Sequence, residues 1–149
     1  MIIIFLLGFL TVINAKVVTV KAQGIFACNN ENSKEPLHIE LMEHDEIGED
    51  DLLAWANVVG HPYYWDIQGK EDEIISIRPY LVIKHMCKGV RLFYVKFQRI
   101  LLQIKERAVI EIERIGRDVS IDFGYQDLED PHFSENMKQM IKEQVKKRI

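Results

Sequence analysis

The chain has 149 residues, enough for one domain with a real core and too few for two ordinary ones. Its 48% hydrophobic and 28% charged residues are those of a globular protein and exclude a disordered or collagen-like chain. A net charge of -4 makes nucleic acid a poor partner.

Residues 1–13 hold no charged side chain and run almost continuously through Ile2, Ile3, Ile4, Phe5, Leu6, Leu7, Phe9, Leu10, Val12 and Ile13. The run stops at Asn14-Ala15, ahead of Lys16. A stretch of that length falls short of the ~20 residues of a permanent span but matches the apolar region of a secretory signal, with Ala15 as the small residue before cleavage. The expected organisation is therefore a signal segment over 1–15, a folded domain over 16–130 and a helical tail over 131–149, in a secreted protein without a permanent membrane span. Export leads to an oxidising compartment, where Cys28 and Cys87 can form one intrachain bridge. Two buried free thiols are the alternative.

From Lys16 the pattern is of short strands separated by polar turns. Val18, Val20, Ala22 and Ile25 to Cys28 predict a first strand bent at Gly24, where the missing side chain permits a bulge. Turn formers fill 29–36, and then Leu37, Ile39 and Leu41 alternate with His38, Glu40 and Met42, putting three aliphatics on one face of a second strand. An acidic loop over 43–51 precedes a short strand at 52–56 and an aromatic one, Tyr63-Tyr64-Trp65-Asp66-Ile67, lying between Pro62 and Gly69. The strongest β signal is Ile75, Ile77 and Tyr80-Leu81-Val82-Ile83, with Pro79 confined to the start of a strand or to a sheet edge. Further strands are expected at 90–97 and 119–123. Seven or so strands at this spacing predict an all-β sandwich.

Two segments resist that reading. Phe97, Leu101, Ile104, Ala108, Ile112 and Ile115 fall on one helical face, although residues 108–112 read equally well as a strand. Residues 134–149 predict an amphipathic helix with Ser134 as N-cap and Met137, Met140, Ile141 and Val145 as its apolar stripe.

In several stretches the chain resembles the transthyretin-like family, a large set of secreted nematode proteins with an immunoglobulin-like β-sandwich. The matching residues are those from Val20 to Cys28; Pro36, Ile39, Leu41 and Glu43-His44-Asp45; Asp50-Asp51-Leu52-Leu53-Ala54; a strand closing on Gly69; Glu73; and 77–87, ending Pro79-Tyr80-Leu81-Val82-Ile83-Lys84-His85-Met86-Cys87. A later match covers 121–129. The resemblance singles out Gly24, Asp45, Asp50, Asp51, Pro79, Tyr80 and His85 as motif positions. The chain departs from the pattern at Gly60-His61-Pro62-Tyr63-Tyr64-Trp65, where Trp65 takes an aromatic position usually held by Phe, and at 99–117, which lacks the family's Ile-Pro-x-x-Tyr run and further cysteines.

Little in the chain points to catalysis. There is no Gly-x-Ser-x-Gly elbow, and the five histidines at 38, 44, 61, 85 and 132 are not at metal-ligand spacing. His85, two residues from Cys87, is read as an imidazole steadying the strand end beside the bridge, with ligand binding or pH sensing as the alternative. The acidic loop gathers oxygen ligands but does not follow the EF-hand order, so a solvated loop with Asp50 or Asp51 capping a turn is expected over a Ca²⁺ site. Residues 31–73 hold thirteen acidic side chains against Lys34 and Lys70, while the last twelve residues are basic, a dipole that would steer toward anionic lipid.

The resemblance brings no catalytic residues and no cofactor, and the Tyr-Arg-Gly-Ser tail of the related hydroxyisourate hydrolases is not matched. It implies a non-enzymatic extracellular adaptor or carrier, some relatives bridging phosphatidylserine to a phagocytic receptor. The alternatives are a matrix or cuticle component, or a small-molecule hydrolase using His38, His44 or His85.

Overall fold

The computed structural model describes residues 15–28, 35–73, 76–87, 106–112 and 115–146. The expected signal segment, the strand at 90–97 and most of the 97–115 segment lie outside them. Seven strands and one helix are described: β1 (Lys16–Ala27), β2 (Leu37–Glu43), β3 (Asp51–Val58), β4 (Tyr63–Glu73), β5 (Pro79–His85), β6 (Glu106–Glu111), β7 (Val119–Asp127) and α1 (Phe133–Lys146).

They form two sheets, ordered β4-β1-β7 and β3-β2-β5-β6. β1 runs antiparallel to β4 and parallel to β7, joining residues about a hundred positions apart. Alternation explains the burial: Leu37, Ile39 and Leu41 face inward with no more than 1% exposure, opposite Val18, Val20 and Ala22 of the other sheet. Each such aliphatic contributes roughly 2 kcal/mol on burial. The two sheets and α1 make an all-β sandwich with one C-terminal helix, and no described helix is long and apolar enough to cross a membrane.

The two sides of the sandwich are closed differently. On one side, the pairing of β2 with β3 slips between Leu41 and Met42, which oppose Ala54 and Leu52 and leave Leu53 as the extra residue of a bulge. Leu53 is thereby driven onto Gly69, where an added Cβ would lie 2.5 Å from Leu53 Cβ. Gly69 does not close its strand, as the sequence suggested; β4 runs through it to Glu73, and the glycine is the socket that lets β3 and β4 approach.

On the other side α1 fills the gap beside β7, burying Phe133, Met137 and Ile141 in the core. Phe133 meets Phe26 edge-on at 5.7 Å, and Phe26 and Phe123 flank Trp65 at 4.9 and 5.8 Å. Gln144 lies on the free edge of β7: its Oε1 accepts from Asp122 N at 2.9 Å and its Nε2 donates to Asp122 O. A side-chain amide thus takes the place of a further strand.

One expectation is corrected here. Ser134 is not the N-cap, because α1 already begins at Phe133. Asp130 organises that start, its carbonyl accepting from Phe133 N and its carboxylate from His132 N and Asn136 Nδ2. The choice left open between helix and strand is decided for strand over 106–111, where β6 pairs antiparallel with β5 and inward Ile110 completes the row begun by Leu81.

Candidate functional site

The outer face of the β4-β1-β7 sheet follows from the register. Gly24 sits where the β1–β7 pairing shifts between Gln23 and Ile25, and an added Cβ there would meet Gly124 O and Phe123 Cβ at 3.2 Å and Trp65 Cζ2 at 3.3 Å. Beyond this bulge Ile25 stands between Tyr64 on β4 and Tyr125 on β7. One row back Gln23 stands between Asp66 and Asp122, and the next row is Gln68, Lys21 and Ser120. The face therefore changes from aromatic to acidic to basic over three rows, in two steps of about 7 Å.

The first two rows line a concavity of about 430 Å³, floored by Gln23, Gly24 and Ile25. Tyr64 and Tyr125 are 68% and 65% exposed at its walls. Asp122 is fixed: Oδ2 accepts from Gln23 Nε2 at 3.0 Å and Oδ1 from Gly124 N at 2.8 Å. Trp65 also borders the concavity, and its buried indole N–H has no hydrogen-bond partner. A second hollow of about 400 Å³ continues along the face past Lys21, Lys70 and Asp118.

Of the motif positions Gly24 lies in this concavity, and the others gather elsewhere. Cys28 and Cys87 are joined, their Cα atoms 5.2 Å apart, and His61 Nε2 donates to the Cys28 carbonyl at 2.5 Å. His85 is 6% exposed beside the bridge, with Nδ1 accepting from Cys87 N at 3.4 Å. Pro79 is the first residue of β5, and its carbonyl accepts from Ile112 N at 2.9 Å. Asp51 opens β3 opposite Glu43.

Tyr80 and Asp50 belong to one cluster, the phenol donating to Asp50 Oδ2 at 2.6 Å. His44 stacks on the Tyr80 ring at 4.2 Å, with Nδ1 3.0 Å from Asp50 and Nε2 3.2 Å from Glu111. The Tyr80 hydroxyl, opposed by partial desolvation and aided by His44 and the Asp45 backbone, holds the Asp50 carboxyl below its ordinary range. This cluster ties the acidic loop to β5 and β6.

On the outer face of the second sheet, burial pushes the Glu40 carboxyl up, but hydrogen bonds from Lys84 Nζ (2.5 Å) and His38 Nε2 (2.9 Å) outweigh it and lower it overall. His38 also meets Asn57 Oδ1 at 2.6 Å. His38, His44 and His85 are each engaged by different groups, so they build no shared site. Among the described residues no three His, Cys, Asp or Glu side chains are placed to hold a metal ion, the acidic loop included.

Tyr64, Asp66, Asp122 and Tyr125 were not among the residues singled out from the sequence. Their outward phase on β4 and β7 was legible, but the parallel pairing that brings them together was not.

Residues 23–101 match the Transthyretin-like family. Transthyretin-like protein 16 of Caenorhabditis elegans is 32% identical over 73 residues, 49% of this chain and 54% of that protein, so the match spans about half the length of the curated relative. A crystal structure of a 9R-lipoxygenase from Cyanothece aligns with 72% of this chain and 16% of its own at 13% identity, with a TM-score of 0.38, too loose a likeness to carry any argument.

Proposed function

From the premise that the chain belongs to the transthyretin-like family, we propose that it is a secreted, non-catalytic binding protein, an extracellular adaptor or carrier that presents the outer face of the β4-β1-β7 sheet to its ligand. The observation that carries this reading is the pair of exposed tyrosines, Tyr64 and Tyr125, held across a concavity on a sheet whose other side is fully packed. Tyrosines supply large contact area at little entropic cost, and a sheet keeps them in place before the ligand arrives. His38 and His44 each sit beside a carboxylate, but neither they nor His85 line the concavity, so a hydrolytic alternative has no histidine–carboxylate pair at that site.

Labelled chain applied to living cells tests this. Saturable surface binding that drops at least about tenfold in a Tyr64→Ser/Tyr125→Ser variant with an unchanged circular dichroism spectrum supports the reading. Binding equal to the parent's contradicts it. A lipid-bridging form of the role rests on family likeness and on the exposed Lys138 and Lys142 of α1. Co-sedimentation with anionic but not neutral vesicles is its expected result, and no preference would remove it.

A structural role in an extracellular matrix draws support from the opposite sheet, where Trp55 (59% exposed), Leu52 and Val109 are exposed apolar residues, giving the block a second face through which copies could stack. A detergent-resistant pool of the protein is expected in that case, and a wholly soluble pool excludes it.

A further inference from the structure

The rows of the β4-β1-β7 face specify a chemistry as well as a location. We infer that the concavity at Gly24 is a site for a small quaternary-ammonium cation, seated over Ile25 between the rings of Tyr64 and Tyr125 and against the carboxylates of Asp66 and Asp122. This rests on the reading that this face is the binding face, and it names the ligand class.

Spacing comes first. Tyr64 and Tyr125 flank Ile25 on either side, so their strands are about 9.6 Å apart, twice the ordinary interstrand distance. A cation seated over Ile25 thus has an exposed tyrosine on the neighbouring strand to either side, and an aromatic face attracts positive charge within ~6 Å of its ring centre. Asp66 and Asp122 flank Gln23 in the adjoining row with the same separation, and both line the same concavity.

The two carboxylates do not make a metal site: among the described residues no three His, Cys, Asp or Glu side chains are placed to hold an ion, and Ca²⁺ takes about six to eight oxygen ligands. An organic cation needs only their charge. Donor chemistry narrows the class further. Both Asp122 oxygens already accept hydrogen bonds, from Gln23 Nε2 and Gly124 N, and the tyrosine faces offer charge density without acceptor geometry. Asp66 adds a second negative charge, so the site joins two aromatic faces to negative potential, a combination that suits a cation clad in methyl groups, held by charge and ring faces rather than by N–H donors. Lys21, one row further along, repels a second positive centre and confines the ligand to a single charge.

Isothermal titration of the purified chain with choline chloride, and in parallel with its neutral isostere 3,3-dimethylbutan-1-ol, decides the matter. Choline is expected to saturate, and the isostere to bind at least about tenfold more weakly, because only charge distinguishes them. Tyr64→Leu, Tyr125→Leu and Asp66→Asn are all surface changes, and each is expected to weaken choline about three- to fivefold with the thermal midpoint unchanged. Equal binding of the two probes, or no binding of either, overturns the assignment.

A second arm separates the sources of the cation. Phosphatidylcholine vesicles that sediment the parent but not the Tyr64→Leu/Tyr125→Leu variant indicate a lipid headgroup, and binding of free choline alone indicates a soluble ligand. If choline fails while cell binding still depends on Tyr64 and Tyr125, the ligand class falls and the binding face stands; if both fail, the face falls too.

Discussion

Replacing Gly69 by alanine should destabilise the sandwich by about 3 kcal/mol, at the upper end of what overpacking costs. The reason is local. The new Cβ would lie 2.5 Å from Leu53 Cβ, 3.0 Å from Leu41 Cδ2 and 3.4 Å from the Leu53 carbonyl carbon. Carbon atoms rest about 3.5–4.0 Å apart, so an opening of about 1 Å is required. Leu41 can rotate away, but Leu53 Cβ is fixed to a backbone that the β3 bulge has already pushed inward. The strain therefore goes into separating β3 from β4. Truncating Leu53 to alanine does not relieve it, because the offending atom remains.

Gly24→Ala is the internal comparison, since its contacts of 3.2–3.3 Å need a yield of only a few tenths of an ångström. It should cost about 1 kcal/mol. Urea unfolding followed by tryptophan fluorescence measures both, with unchanged m-values licensing the comparison. A Gly69→Ala variant within about 0.5 kcal/mol of the parent, or no worse than Gly24→Ala, would refute the reasoning.

Opening the bridge by Cys28→Ser/Cys87→Ser should lower stability by about 4 kcal/mol, because it closes a span of 59 residues in the unfolded chain; urea midpoints without reductant measure this. Trp65→Phe should stay within about 1 kcal/mol of the parent by urea unfolding, since loss of ring area is offset by removal of an unpartnered indole N–H; a cost of about 3 kcal/mol or more would contradict that offset. Gln144→Ala should cost about 1 kcal/mol and speed amide exchange at Asp122, where two hydrogen bonds to the free edge are lost.

The Asp50 carboxyl is held below its ordinary value of 3.8, so its contribution is present above that value and is lost as pH falls through the lower folded one. Tyr80→Phe should accordingly be less stable than the parent near neutral pH, with the difference shrinking as pH drops below 3.8. Urea titrations at about pH 6 and about pH 2 check the sign, and a constant difference would contradict it.

The parts of the fold legible in the sequence were those set by local periodicity. Leu37, Ile39 and Leu41 announced an inward face, Gly24 a bulge, Pro79 a strand start and the cysteine pair a bridge. What stayed hidden depends on partners far along the chain. Gly69 looked like a terminator because its neighbour Leu53 is delivered by a slip in another strand's pairing. Asp130 displaced Ser134 at the start of α1 because the tight turn after β7 places its carbonyl and carboxylate there. Residues 108–112 fitted two periods equally well, and only pairing with β5 decides between them. For the same reason the Tyr64–Ile25–Tyr125 row was unreadable: it exists only once β7 lies parallel to β1.

Hydroxyl-radical footprinting by mass spectrometry, comparing free chain with chain bound to the cell surface, tests most directly which face binds. Tyr64 and Tyr125 should be shielded several-fold on binding while Trp55, on the far sheet, oxidises as before. Equal oxidation of the two tyrosines in both states, or shielding confined to Trp55, would contradict it.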